Sequence, residues 1–163
     1  MKSVSDYSFH FVEGSISGEL EVEIVKLWTH FAALQQSEAE RRLSELVLLL
    51  KDKSGKVIGV STVVKTLLPQ IQNYVYAYRS FILSEFRAPA LDTQMIVRTK
   101  NHLQEISIHD SDKKCVGIMV IVQNEILKAQ WRQAVWLGAD MIFIGNTPQG
   151  HPIRIGYFKN ARI

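Results

Sequence analysis

Phe81-Ile82-Leu83-Ser84-Glu85-Phe86-Arg87-Ala88-Pro89-Ala90-Leu91 carries an apolar strand through a short polar loop into a helix that opens on proline. Proline suits the first helical turn, where its missing N–H leaves no intrahelical bond unmade. The free N–H groups of that turn carry the positive end of the helix dipole, a natural seat for phosphate. The same geometry also serves purely to join a strand to a helix, so the rest of the chain has to decide between them.

Residues 74–83 read as the strand that feeds this junction, with Tyr74, Tyr76, Tyr78 and Phe81 along it. The helix that follows is expected over residues 89–103 and turns Leu91, Met95 and Ile96 to a core. Residues 106–114, with His109-Asp110-Ser111-Asp112, read as a loop. Residues 116–122 have the composition of a central strand covered on both faces. Asn124 can cap a further helix with Leu127, Trp131, Ala134 and Val135 as its buried stripe, and Gly138 can supply a left-handed stop. Two last strands, 141–144 and 153–158, flank the turn-rich run Gly145-Asn146-Thr147-Pro148-Gln149-Gly150-His151-Pro152.

Toward the N-terminus, residues 7–12 suggest a short strand ending at Glu13-Gly14. Leu20, Ile24, Leu27, Trp28, Phe31 and Leu34 then fall at helical spacing, with Ser17 as a cap and Glu19, Glu21 and Glu23 near the favourable end. Ser37 with Glu40 makes a capping-box pattern for a second, short helix. The apolar runs 46–50 and 57–64, joined by a turn holding Ser54-Gly55, describe a long hairpin that Pro69 ends.

The order is strand, two helices, three strands, helix, strand, helix, two strands. It excludes a bundle or a sandwich and gives an α/β fold: a mixed sheet of about seven strands flanked by helices. An antiparallel first half and strand-helix-strand units in the second require a right-handed crossover from Leu83 to Val116. With 163 residues, 47% hydrophobic and 21% charged, one domain over 1–163 is expected.

A formal charge of +3, spread over interleaved cations and anions, does not indicate nucleic-acid binding. Cys115 is alone, so neither a disulfide framework nor a cysteine-based zinc site can form, and a reducing cytoplasm fits. His10, His30, His102, His109 and His151 are dispersed, which gives no metal site. The opening Met1-Lys2-Ser3-Val4-Ser5-Asp6 lacks the apolar core of a signal peptide, and run 116–122 is too short to span a bilayer, so a soluble, unprocessed protein is expected.

This layout resembles the GNAT superfamily of acyl-CoA-dependent N-acetyltransferases over nearly the whole chain. In that family the fourth strand ends in a segment like V-D-P-E-Y-R, and Ile82-Leu83-Ser84-Glu85-Phe86-Arg87 occupies the same place. Arg87 then opens the pyrophosphate motif [QR]-x-x-G-x-[GA]; later, residues 116–122, Asn124 and Gly138 look like the family's apolar strand, helix-heading Asn and helix-ending Gly. The chain departs from the pattern with Ala90 and Asp92 at the motif's two small positions, and with Ala134 where a thiol-protonating tyrosine often sits. A carboxylate near pyrophosphate is electrostatically unfavourable unless it points away.

The resemblance implies that strands four and five splay, and that acetyl-CoA or another acyl-CoA is the donor, with no metal. Donor contacts fall to Phe81, Ile82 and Leu83 on the strand, to Arg87, Ala88, Ala90 and Thr93 at the helix opening, and to Asn124 and Trp131 later. The acceptor is a small-molecule amine or a protein amino group, with Tyr78, Glu85 and His151 as acid–base candidates. Each has a structural reading too: packing for Tyr78, solvation for Glu85, a turn for His151. Three functions remain open: an N-acyltransferase using coenzyme A, an acyltransferase using an acyl carrier protein, and a non-catalytic binding domain on the same fold. Pairing of two copies as a homodimer is a further expectation.

Overall fold

Ser17 opens the first helix as its sequence position implies: its hydroxyl accepts from the Leu20 N–H at 3.3 Å. The computed structural model describes residues 6–109, 114–159 and 161–163. The expected loop residues Asp110, Ser111 and Asp112, and the opening residues 1–5, lie outside them.

In chain order the elements are β1 (Ser8–Phe11), α1 (Gly18–Phe31), α2 (Gln36–Arg42), β2 (Leu46–Lys51), β3 (Val57–Leu68), β4 (Asn73–Ile82), α3 (Pro89–Ser107), β5 (Gly117–Ile121), α4 (Glu125–Gln130), β6 (Val135–Trp136), β7 (Met141–Asn146) and β8 (Pro152–Tyr157). Among the described residues the sheet has eight strands in the order β1-β2-β3-β4-β5-β8-β7-β6. It is mixed: β1–β2, β2–β3, β5–β8, β7–β8 and β6–β7 run antiparallel, while β4 and β5 run parallel. Register between β4 and β5 is held at Tyr76–Ile118 and Ala77–Met119. The mixed α/β architecture is therefore the one that the order of elements implied.

The chain divides into two compact units, Met1–Val63 with Arg79–Met95, and Val64–Tyr78 with Ile96–Ile163. In the first, Ile24, Leu27 and Trp28 of α1 pack in one cluster with Leu48, Leu50, Ile58 and Leu91. Each such side chain contributes roughly 1.5–3 kcal/mol on leaving water. In the second, Leu68, Val75, Val116, Met119, Ile153 and Ile155 form the cluster. There β5 and β8 approach so closely at Gly117 that a Cβ on it would lie 2.3 Å from the Gly156 carbonyl oxygen.

Three local expectations need correction. Ser37 does not cap α2; it lies inside the helix, whose N-cap Gln35 makes no side-chain cap bond. Glu40, the other half of the expected capping box, accepts instead from Gln36 Nε2 at 2.6 Å. Residues 106 and 107, expected in a loop, continue α3 to Ser107, whose hydroxyl donates to the Gln104 carbonyl at 2.9 Å.

The third correction is the largest. The last helix stops at Gln130, and Ala134 and Val135 are exposed rather than part of a buried stripe. Val135 and Trp136 form an eighth strand, paired with Ile142 and Met141, as suits a β-branched and an aromatic residue. Gly138 sits in the turn after it, and the left-handed residue there is Asp140, with φ 51.

Candidate functional site

The β4-to-α3 junction consumes most of its backbone donors. The Leu83 N–H donates to the Ile58 carbonyl at 2.8 Å, Phe86 to Leu83 at 2.9 Å and Arg87 to Ser84 at 3.3 Å, across a 3-10 turn over Ser84–Phe86. In the first turn of α3 the Leu91 and Asp92 N–H groups both reach the Ala88 carbonyl, at 2.9 and 3.2 Å. Proline at 89 has no N–H to give. The N–H groups of Ala88 and Ala90 meet no acceptor among the described residues. Arg87 is exposed beside them, and its Nη2 is 3.4 Å from the Ile82 carbonyl, a long contact that leaves the guanidinium available.

Asp92 stands where the motif asks for a small residue. It is buried, whereas Ala90 and Arg87 are exposed, so the carboxylate lies on the inward side of the turn. Burial pushes its carboxyl up, and the neighbouring Arg87 charge pulls it down. The start of α3, with two unspent N–H groups and an exposed cation beside them, fits the diphosphate of coenzyme A. The inward carboxylate opposes that charge from behind.

The remaining residues singled out in the sequence fall as follows. Phe81 and Thr93 are half-buried, Ile82 and Leu83 are buried, and Glu85 is exposed; these belong to the first unit together with Arg87, Ala88 and Ala90. Tyr78, Asn124, Trp131 and His151 belong to the second. Tyr78 is buried in β4. The Asn124 side-chain oxygen accepts from the N–H groups of Ile126 and Leu127 at 2.9 and 3.1 Å, so it is spent on starting α4. Trp131 stacks on Trp136 with ring centroids 3.9 Å apart. His151 donates its backbone N–H to Thr147 Oγ1 at 3.1 Å, and its Nδ1 is buried without a hydrogen-bond partner among the described residues.

Arg154 is the residue that sequence reading missed. It is 3% exposed in the middle of β8, and Nη2 donates to the carbonyls of Trp131 and Gln133 at 2.7 and 2.6 Å. Its Nε and Nη1 are buried with no hydrogen-bond partner among the described residues, and burial lowers its pKa. The signal was present: a cation between Ile153 and Ile155 in an apolar run breaks the pattern of a covered strand.

Among the described residues no group of three or more His, Cys, Asp or Glu side chains could hold a metal ion, and no helix is long and apolar enough to cross a membrane.

No family model and no curated protein matches the chain. Solved structures do. A GNAT-family acetyltransferase from Listeria monocytogenes is similar over 93% of this chain and 94% of its own, at 17% identity and a TM-score of 0.59. A ribosomal-protein-S5-alanine acetyltransferase from Vibrio fischeri is similar over 99% and 98%, at 13% identity and a TM-score of 0.61. A GNAT-superfamily phosphinothricin acetyltransferase from Sinorhizobium meliloti, determined with acetyl-CoA, is similar over 94% and 89%, at 8% identity and a TM-score of 0.65. At these identities the likeness is one of fold, over nearly the full length of both chains, and the fold that this chain has is the GNAT acetyltransferase fold.

Proposed function

We propose that the chain is an N-acyltransferase that takes an acyl group from coenzyme A and passes it to an amine. The observation that carries this reading is the start of α3, where the exposed Arg87 and the unspent N–H groups of Ala88 and Ala90 offer donors to a diphosphate. Fold likeness to acetyltransferases, one of them holding acetyl-CoA, supports it.

The chemistry is aminolysis of a thioester. An acceptor ammonium gives up a proton to a base or to water, its nitrogen forms the amide bond as the carbon–sulfur bond breaks, and the thiolate takes up a proton. Tyr78, Glu85 and His151 are the proposed groups for proton exchange. Glu85 is the exposed one, two residues from Arg87. Substitutions Tyr78→Phe, Glu85→Gln and His151→Asn separate the three, because each removes the exchangeable proton or the basic atom while keeping most of the shape.

Asp92 favours a second reading. A donor that presents its pantetheine arm from an acyl carrier protein has one phosphate rather than the diphosphate and ribose phosphate of coenzyme A, and places less negative charge against that carboxylate. Thermal denaturation with coenzyme A, acetyl-CoA and a longer acyl-CoA tests the first reading, since a ligand that binds the native state alone raises its stability. Saturating amounts that leave the melting temperature unchanged rule out the coenzyme. Transfer from an acylated carrier protein with no response to the coenzyme establishes the second.

A further inference from the structure

α1 packs its inner face into the first unit's core but leaves Phe31, at its last turn, 64% exposed. Beside it lies a cavity of about 300 Å³, formed wholly within that unit. Its apolar surface comes from Leu27 and Phe31 of α1, Val57 at the start of β3 and Leu83 just past β4. Leu27, Val57 and Leu83 are themselves buried, so they make a fixed floor, and the exposed ring of Phe31 makes a wall.

The polar groups of the cavity are of unequal availability. Glu23 is the acid, and its Oε1 accepts from the Val57 N–H at 2.8 Å, which commits it to the backbone. Lys26 and Lys56 also line the cavity, both exposed, two ammonium groups against one engaged carboxylate. His30 lines it as well, with Nδ1 3.0 Å from the Lys26 carbonyl, so that ring is held by its own helix. A dry floor under a cationic rim complements a molecule with a hydrocarbon part and an anionic head.

We propose that this cavity binds a small amphiphilic carboxylate. The hydrocarbon part lies on Leu27, Val57 and Leu83 and under Phe31, and the carboxylate meets Lys26 and Lys56. The volume is at the lower end for small-molecule sites and suits a ligand of on the order of ten non-hydrogen atoms. Such binding does not depend on acyl transfer and needs no donor present.

Octanoate is the probe, with octylamine and butyrate as comparisons, measured on the full chain by calorimetric titration and thermal shift without any coenzyme. Octanoate binds saturably and raises the melting temperature; octylamine, with the wrong charge, and butyrate, with too little hydrocarbon, do not. Lys26→Glu combined with Lys56→Gln weakens octanoate by about tenfold or more and admits octylamine, since the rim charge is reversed. Phe31→Ser, at an exposed position where folding is insensitive, weakens octanoate with the rim intact. Octanoate that fails to bind at millimolar concentration, or that binds both variants as tightly as the wild type, overturns the proposal. Acyl transfer measured separately with acetyl-CoA reports on the acyltransferase reading alone.

Discussion

The Arg154 guanidinium, buried in β8, donates to the Trp131 carbonyl at 2.7 Å and so holds the chain at the point where α4 ends. A cation at a helix C-terminus satisfies carbonyls that the helix itself cannot. The second bond, to Gln133, fixes the chain as it turns toward β6. Trp131 and Trp136 are brought together by that turn, their ring planes tilted by 31°.

Replacing Arg154 with Ala leaves two carbonyls without their donor and opens a hole where the buried guanidinium lay. The expected cost is about 2–4 kcal/mol in urea denaturation. Tryptophan fluorescence of the native state should change as the Trp131–Trp136 stack loosens. A variant with wild-type stability and an unchanged spectrum would show that the latch carries no weight.

Gly117→Ala places a methyl group against backbone rather than against a side chain that can swing aside. The β5–β8 register must shift or the strands must part, and a loss of about 1–3 kcal/mol or more is expected. Urea titration of the variant reads this directly, and a change of only a few tenths would mean that the strands can separate freely.

Asp92 gives a dependence on pH whose sign follows from its burial. Its carboxyl is raised above the ordinary 3.8 chiefly by desolvation, with Arg87 opposing. The native chain keeps that proton to higher pH than the unfolded chain does, so its contribution is complete below the unfolded value and falls as pH rises through the folded one. Asp92→Asn removes the fall. Its stability relative to wild type should therefore increase as pH rises above the ordinary carboxyl value of 3.8, and a constant difference would refute the assignment.

The same two residues should act oppositely on coenzyme A. If the proposed donor site holds, Arg87→Ala weakens binding by about tenfold with little change in stability, because the side chain is exposed and the proposal gives it a charge-assisted contact. Asp92→Asn strengthens it by removing a like charge. Titration calorimetry with coenzyme A distinguishes these from a uniform loss of binding in both variants.

Asn124→Ala should cost about 1 kcal/mol, since two N–H groups of α4 lose their acceptor, and Asn124→Asp should retain stability. Equal losses in both, by thermal denaturation, would mean that the amide rather than the oxygen is what α4 needs.

Local chemistry in the chain was enough to place most elements. Ser17 before the period of Leu20, Ile24 and Leu27 located α1, the apolar runs around Ser54-Gly55 located the β2–β3 hairpin, and proline at 89 located the start of α3. Their order was enough for a mixed sheet with a parallel central pair. These features arise from backbone propensity and from the period of burial, which neighbouring residues carry between them.

Tertiary structure alone decided the length of α4, the existence of β6 and the direction of Asp92. A helical stripe from Leu127 to Val135 is satisfactory by spacing, but Arg154, more than 20 residues later, takes the Trp131 and Gln133 carbonyls and β7 offers Val135 a partner. Whether the Asp92 carboxylate faces a phosphate or the interior depends on what packs behind the first turn of α3. Each of these outcomes is set by a partner distant in sequence, and the spacing of local residues carries no information about such a partner.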